Sequence, residues 1–117
     1  MNIETFRNFC LSLKAVTEDT PFGEDTLVFK VKGKMFALTN ITFFHSVNLK
    51  CDPEKAIELR EQFPAVKPGY HMNKKHWNTI DMDGTIPDKL LEQWINDSYN
   101  LVVKGLTKKE QDTLGNQ

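Results

Sequence analysis

Absences do most of the early sorting in this chain. There are two cysteines, Cys10 and Cys51, in neither a CxxC nor a zinc-like spacing, so no redox motif and no structural zinc site is indicated. A single disulfide between them is open on paper. With no secretory leader in view, two free thiols in a reducing cytoplasm are the expectation. No apolar run approaches the roughly 20 residues that cross a bilayer; the longest unbroken one is Met35-Phe36-Ala37-Leu38. The first residues include Glu4 and Arg7 and no apolar stretch before a small-residue cleavage site, which argues against a signal peptide and for a cytoplasmic protein. Charge of one sign is not in excess either: 15 Lys and Arg stand against 16 Asp and Glu, a net of −1. That balance excludes a histone-like or strongly basic nucleic-acid binder and an acidic tail. GxGxxG, P-loop and nucleophile-elbow motifs are missing, as are internal repeats, linkers and low-complexity stretches.

What is present is a well-patterned chain of 117 residues, 39% hydrophobic, which suits one core and is too short for two. Ile3, Phe6, Cys10 and Leu13 recur at spacings of three and four and predict a first helix over residues 2–14, with Asn2 as its N-cap. Residues 16–23 read as irregular, with room for a short edge strand. Leu27, Phe29 and Val31 alternate with Val28, Lys30 and Lys32, a strand with one wet face. Gly33 turns the chain into a return strand, in which Met35, Ala37 and Thr39 oppose Lys34, Phe36 and Leu38. A third strand is expected over residues 43–50. Asp52-Pro53 is a helix start, N-cap followed by Pro at the first helical position. That helix runs to about Gln62 on an Ala56, Leu59 and Phe63 seam, with Glu54, Lys55, Glu58, Arg60 and Glu61 as its solvated face. A short strand near Val66 and another over residues 76–82 follow. The longest helix spans residues 87–104, with Ser98 on its apolar face at a close crossing and Gly105 as its terminator. Thr107 with Glu110 forms a capping box for a last short helix, and the tail from about Leu114 is expected to fray. The fold class is therefore α+β: two layers, an antiparallel sheet of about five strands with helices on one face, in the order α-β-β-β-α-β-β-α.

The near-zero total charge hides a segregation. Residues 1–29 carry a net of −3, residues 30–75 a net of +5, and residues 76–117 a net of −3. A basic middle between acidic ends means either a basic face or ion pairing between segments.

Catalytic sets are thin. Cys10 lies on an apolar helix face and Cys51 precedes an N-cap, so both read as packing thiols. His71 and His76 are five apart with no third ligand, so no metal site is expected, and His45 reads as a structural histidine. Paired carboxylates occur only on helix surfaces and in turns. No cofactor is implied. The densest polar segment is Pro68-Gly69-Tyr70-His71-Met72-Asn73-Lys74-Lys75-His76-Trp77. Its lysines can contact phosphate, and its aromatic rings and imidazoles offer stacking faces. Gly69 allows a close backbone approach. The bland alternative is a loop anchored by Tyr70 and Trp77 with solvated lysines; for Trp77, core packing is favoured over stacking on a ligand.

This segment, together with Phe22-Gly23, the hairpin from Val28 to Ala37, Leu49-Lys50-Cys51-Asp52-Pro53 and Ser98-Tyr99-Asn100-Leu101-Val102, resembles the MmcQ/YjbR family of small bacterial proteins, over residues 6 to about 113. The resemblance implies a fold similar to secretion chaperones and to frataxin-like CyaY, a curved antiparallel sheet with helices on one face. It carries no enzymatic reaction. Family members are often called DNA-binding by fold analogy.

Three functions remain in view. The first is a non-enzymatic DNA-binding protein, monomeric, with Lys30, Lys32, Lys34, Lys50, Lys74, Lys75 and His76 on a local basic surface. Gly69, Tyr70, His71, Asn73 and Trp77 would position the nucleic acid. Binding would be weak and salt-sensitive, and without Arg poorly suited to reading guanine. The second is a protein-interaction or chaperone-like module that takes up a partner segment. The third is a small-molecule pocket lined by Tyr70, His71 and Trp77. A continuous positive patch favours the first, an uncovered apolar patch the second.

Overall fold

The structure, a computed structural model, describes residues 1–69 and 72–114. Ten elements follow one another: α1 (Ile3–Ser12), β1 (Val16–Asp19), β2 (Thr26–Val31), β3 (Lys34–Asn40), β4 (Ser46–Lys50), α2 (Pro53–Gln62), β5 (Val66–Pro68), β6 (Trp77–Asp81), α3 (Asp88–Lys104) and α4 (Lys108–Leu114). The strands form one antiparallel sheet in the order β1-β2-β3-β4-β6-β5. The α+β class is as the pattern predicts. The sheet gains a sixth strand because Val16–Asp19 pairs with β2, Val16 opposite Val31. It is the short edge strand for which residues 16–23 left room, although two acidic residues in four give it no apolar alternation.

The helix starts follow the local chemistry. The Asn2 side chain accepts from the Thr5 N–H at 2.8 Å and the Asp52 side chain from the Lys55 N–H at 3.4 Å. Thr107 and Glu110 exchange bonds at 3.0 and 3.1 Å, a reciprocal capping box. Those bonds, with Lys34 and Lys32 nearby, hold the Glu110 carboxyl below its usual range. Leu114 is buried in the core, against the expected fraying there; the tail beyond it lies outside the described residues. Gly105 ends α3 in a right-handed conformation (φ −83°), not in the left-handed one that a terminal glycine often adopts.

Alternation along each strand puts Phe29, Val31, Ala37, Val47, Leu49, Val66 and Ile80 on the helix side, where Phe6, Cys10, Leu59, Leu91, Trp94, Ile95 and Val102 meet them. Each Val, Leu, Ile or Phe among them, fully buried, contributes about 1.5–3 kcal/mol. Phe6 wedges between Phe29 and Phe44, ring centroids 5.7 and 5.6 Å away. Among the described residues the opposite face carries no helix. It is not simply wet, as strict alternation had suggested: Val28 and Leu38 are buried there beneath Trp77, with Met35 and Met72 against them. Among the described residues no helix is long and apolar enough to cross a membrane.

One irregularity organises the centre of the sheet. The β2–β3 register shifts between Phe29 and Lys30, so that Phe29 faces Ala37 but Lys30 faces Met35. Phe36 is the extra residue of a β-bulge. It turns into the helix-side core while Met35 turns out, which reverses the facing that simple alternation assigns to Met35. The β3–β4 ladder reaches the pair Ala37–Leu49. Where the next rung would join Phe36 to Lys50, the buried Ser98 hydroxyl takes its place. It donates to the Phe36 carbonyl at 2.5 Å and accepts from the Lys50 N–H at 2.8 Å. Tyr99, beside it, packs edge-on against Phe36 and donates its hydroxyl hydrogen to the Lys14 carbonyl at 2.6 Å.

Removing that hydroxyl strands a buried donor and a buried acceptor. Ser98→Ala is expected to lose about 2–4 kcal/mol, read as a lower urea midpoint at unchanged m-value; a loss below the error of the extrapolation would show that the rung is dispensable.

Candidate functional site

The loop from β5 to β6 follows from a few local bonds. Gly69 closes its neck: its N–H donates to the Trp77 carbonyl at 2.8 Å, and a Cβ there would sit 2.8 Å from Trp77 Cβ and 2.9 Å from Trp77 O. Glycine is required by this approach to Trp77. Asn73 builds the far turn, its side chain accepting from the Lys75 N–H at 2.9 Å and its carbonyl from the Trp77 N–H at 2.9 Å. Lys74 turns back to donate to the Gly69 carbonyl at 3.2 Å. His76 is half-buried, and its carbonyl accepts from the Cys51 N–H at 2.7 Å. Trp77 is buried on the open sheet face with Val28 and Leu38. Tyr70 and His71, both singled out in the sequence, lie outside the described residues.

The residue that grips this loop is Arg60, which the charge pattern of α2 assigned to the solvated face. Its side chain is instead half-buried. It donates to Asn78 Oδ1 at 2.7 Å, to the Trp77 carbonyl at 3.3 Å and to the Lys74 carbonyl. A fork of donors suits this task where an ammonium would not. The usable signal was a lone Arg among the glutamates and lysine of α2, facing an Asn within a strand.

The candidate lysines are unequally engaged. Lys30 points onto the open face and meets Asp19 at 3.4 Å; Lys67, absent from the sequence-based set, meets Asp81 there at 2.7 Å. The basic middle of the chain is thus paired in part with both acidic ends. Lys32 sits in the β2–β3 turn at φ 51°, followed by Gly33 at φ 78°, the two left-handed positions of a type I′ hairpin turn. Lys34 and Lys50 line a shared depression of about 390 Å³ with Trp77 at one end of the sheet. Lys74 and Lys75 are exposed on the loop. Among the described residues no carboxylate comes within ion-pair distance of Lys32, Lys34, Lys50, Lys74 or Lys75.

The open face carries a larger feature, a groove of about 680 Å³. It crosses β2, β3, β4, β6 and β5 over Thr26, Leu38, Asn48, Thr79 and Pro68, with Phe22 and Met72 at its rims. Four strand spacings of about 4.8 Å make it roughly 19 Å long. Near it the loops after β1 and β3 expose Phe22, Ile41 and Phe43. His45 is itself exposed and stacks on Phe43 at 5.7 Å.

The YjbR family model matches residues 11–101. The chain belongs to the YjbR family. YbdF of Escherichia coli O157:H7 is 44% identical over 109 residues, 92% of this chain and 89% of its own length. YjbR of Escherichia coli K12 is 29% identical over 115 residues, 97% of this chain and 98% of its own. Both bear names that assign no activity. The crystal structure of Deinococcus radiodurans protein DR2400, a DUF419 domain, superposes with a TM-score of 0.92 at 45% identity, over 97% of this chain and 88% of that one. A Pseudomonas syringae protein follows at 0.73 and 29% identity, over 86% and 98%. The YjbR resemblance read from the glycine-to-tryptophan loop and the Ser98-Tyr99 pair is therefore shown, and these are family members of small size without an assigned role.

Both cysteines are free thiols, Cys10 buried and Cys51 half-buried. Burial first, then the Asp52 and Asp97 carboxylates, pushes the Cys51 thiol up to about 11; burial pushes Cys10 up as well. Neither is a thiolate at neutral pH.

Two outcomes are expected. Gly69→Ala should lower stability by about 1–3 kcal/mol through overpacking against Trp77, seen in thermal unfolding; an unchanged midpoint would show that the neck has room. Iodoacetamide should modify both thiols slowly in the native protein at pH 8, with Cys51 accelerating as pH climbs toward 11; rapid labelling at neutral pH would contradict the protonated assignment.

Proposed function

We propose that this protein is a non-enzymatic, cytoplasmic binding module whose open sheet face receives an uncharged, amphipathic segment of a partner polypeptide. The observation that carries the reading is the state of the lysines on that face. Lys30 and Lys67, at opposite sides of the sheet, are each matched by a carboxylate, while Met35, Leu38, Met72 and the exposed Phe22 supply apolar surface between and around them. A groove whose flanking charges are paired, and whose floor sets Leu38 among the neutral Thr26, Asn48 and Thr79 with Met35, Met72 and Phe22 around it, suits an uncharged, amphipathic segment better than a polyanion. Methionines adapt to varied partners. Its length of roughly 19 Å suits a chain segment and exceeds a small ligand.

The segment would lie across the face, not along an edge. At one edge β1 presents Glu18 and Asp19; at the other β5 is three residues long and ends in Pro68. Charge, brevity and proline all discourage strand addition. Two free thiols fit a reducing compartment.

DNA binding draws on a different observation, the shared depression of Lys34 and Lys50 with Lys32 in the neighbouring turn. Lys75 and Lys74 stand exposed on the loop. The buried positions of Trp77 and Gly69 remove them as stacking or contact groups, which weakens that reading.

The two separate in one titration. Isotope-labelled protein would be mixed with a neutral amphipathic peptide of about 15 residues, long enough at 1.5 Å per residue to span the groove, and separately with a duplex of about 20 base pairs at low salt. The peptide is expected to shift the amides of Leu38, Asn48, Thr79 and Met72, and Phe22→Glu should abolish the effect without unfolding the chain. A silent peptide alongside duplex-induced shifts at Lys34, Lys50 and Lys75, lost in Lys34→Glu with Lys50→Glu, would overturn the proposal in favour of DNA.

A further inference from the structure

The helix side of the sheet holds a second cavity, unrelated to the open-face groove. α2 packs over β5 and β6 while α3 packs over β3 and β4, and the two helices leave a cleft between them above β4 and β6. Phe63 and Trp94, edge to face at 5.2 Å, bring the two helices together at one point. The cleft has a volume of about 340 Å³, within the range of small-molecule sites and equivalent to on the order of ten waters at about 30 Å³ each. Leu49, Leu59, Ile80, Trp94 and Leu101 make its apolar lining.

The charges along this cleft are unequally engaged. Lys50, Lys55 and Lys104 line it, and among the described residues none of them has a carboxylate within ion-pair distance. Two carboxylates line it as well, and both already accept hydrogen bonds from their own helices. Asp52 accepts from the Lys55 N–H at 3.4 Å as the α2 cap, and Asp97 accepts from Gln93 Nε2 at 2.9 Å. Since Asp52 occupies the α2 N-terminus, the helix end itself is not offered to a ligand. Cys51, also in the wall, has its thiol pushed up to about 11, chiefly by burial, which disfavours covalent attack at neutral pH.

From this juxtaposition we propose that the α2–α3 cleft binds a small amphipathic monoanion: an apolar body of about ten non-hydrogen atoms, matched to the displaced water, enters the cleft, and its carboxylate meets Lys55 and Lys104. Binding is non-covalent and reversible. The hydrophobic body supplies most of the affinity; the unpaired ammonium groups select an anionic head over a neutral or cationic one.

Decanoate, decanol and decyltrimethylammonium are the probes, each kept below its micelle concentration and followed by protein NMR and calorimetry. Decanoate should shift the Trp94 indole N–H and the amides of Leu49 and Leu101, with decanol weaker and the cation weakest. Lys55→Gln with Lys104→Gln, both at exposed positions, should weaken decanoate about tenfold, leave decanol unchanged and preserve the fold. The proposal is overturned if decanoate leaves those resonances still. Equal affinity for decanoate and decanol, indifferent to the two glutamines, overturns it too, since the cleft would then be an apolar gap without head-group selection. Shifts confined to Leu38 and Met72 would place the ligand in the open-face groove and count against the cleft while leaving the partner-segment reading standing.

Discussion

A single hydroxyl holds the centre of the sheet together. The bulge at Phe36 sends one more aromatic ring into the helix-side core than regular alternation would allow, and it does so at the cost of a backbone rung. An unpaired N–H and C=O in that position would each cost about 1–3 kcal/mol. Ser98 donates to one and accepts from the other, the two roles a hydroxyl can fill at once. Because the hydroxyl sits on α3, it also fixes how that helix crosses β3 and β4, and hence where the cleft beside α2 opens. Met35, released to the other side by the same bulge, joins the apolar surface of the open face. The open-face groove and the α2–α3 cleft are thus both shaped by one irregularity.

A comparable economy appears around Arg60. Asn78 faces the helices and Trp77 faces away, so successive residues of β6 belong to opposite sides of the sheet. One guanidinium reaches the side chain of the first and the carbonyl of the second, and extends to the loop carbonyl of Lys74. Positive charge that looked destined for solvent is used in backbone recognition. Much the same holds for the segregated charge of the chain. Its basic middle is distributed among partners in the acidic ends, through Lys30 to Asp19 and Lys67 to Asp81, which leaves only part of it available to any ligand.

Legibility in the sequence tracked how local the determining physics was. Caps at Asn2, Asp52 and Thr107, the Gly33 turn and the apolar seams of α1 and α3 depend on neighbours within a turn, and they were readable. The class followed from them. Other features depend on contacts between distant segments. β1 exists because β2 offers it an edge, and its own Glu18 and Asp19 give no apolar alternation. The bulge moves Met35 and Phe36 to faces opposite to those that a period of two assigns. Val28 is buried by Trp77, nearly fifty positions on, not by any helix. The candidate site suffered most: Gly69, Asn73 and Trp77 were visible as a distinctive set, but the pattern could not separate residues that shape a loop from residues that would hold a ligand. The cleft between α2 and α3 was invisible, since its lining comes from four elements and its lysines look like ordinary surface residues.

The bond from Tyr99 to the Lys14 carbonyl joins residues 85 positions apart, and Ser98 reaches back 62 positions to Phe36. Contacts of such span are entropically late, because the intervening chain must be ordered before they repay its closure. During synthesis the first four strands emerge well before the residues that complete their central rung. Until α3 arrives, the nascent sheet carries an open bulge and an uncovered Phe36. The part of its helix-side face that α3 covers is therefore bare for much of the chain's production, and this interval is when the molecule most needs either speed or shelter from other chains.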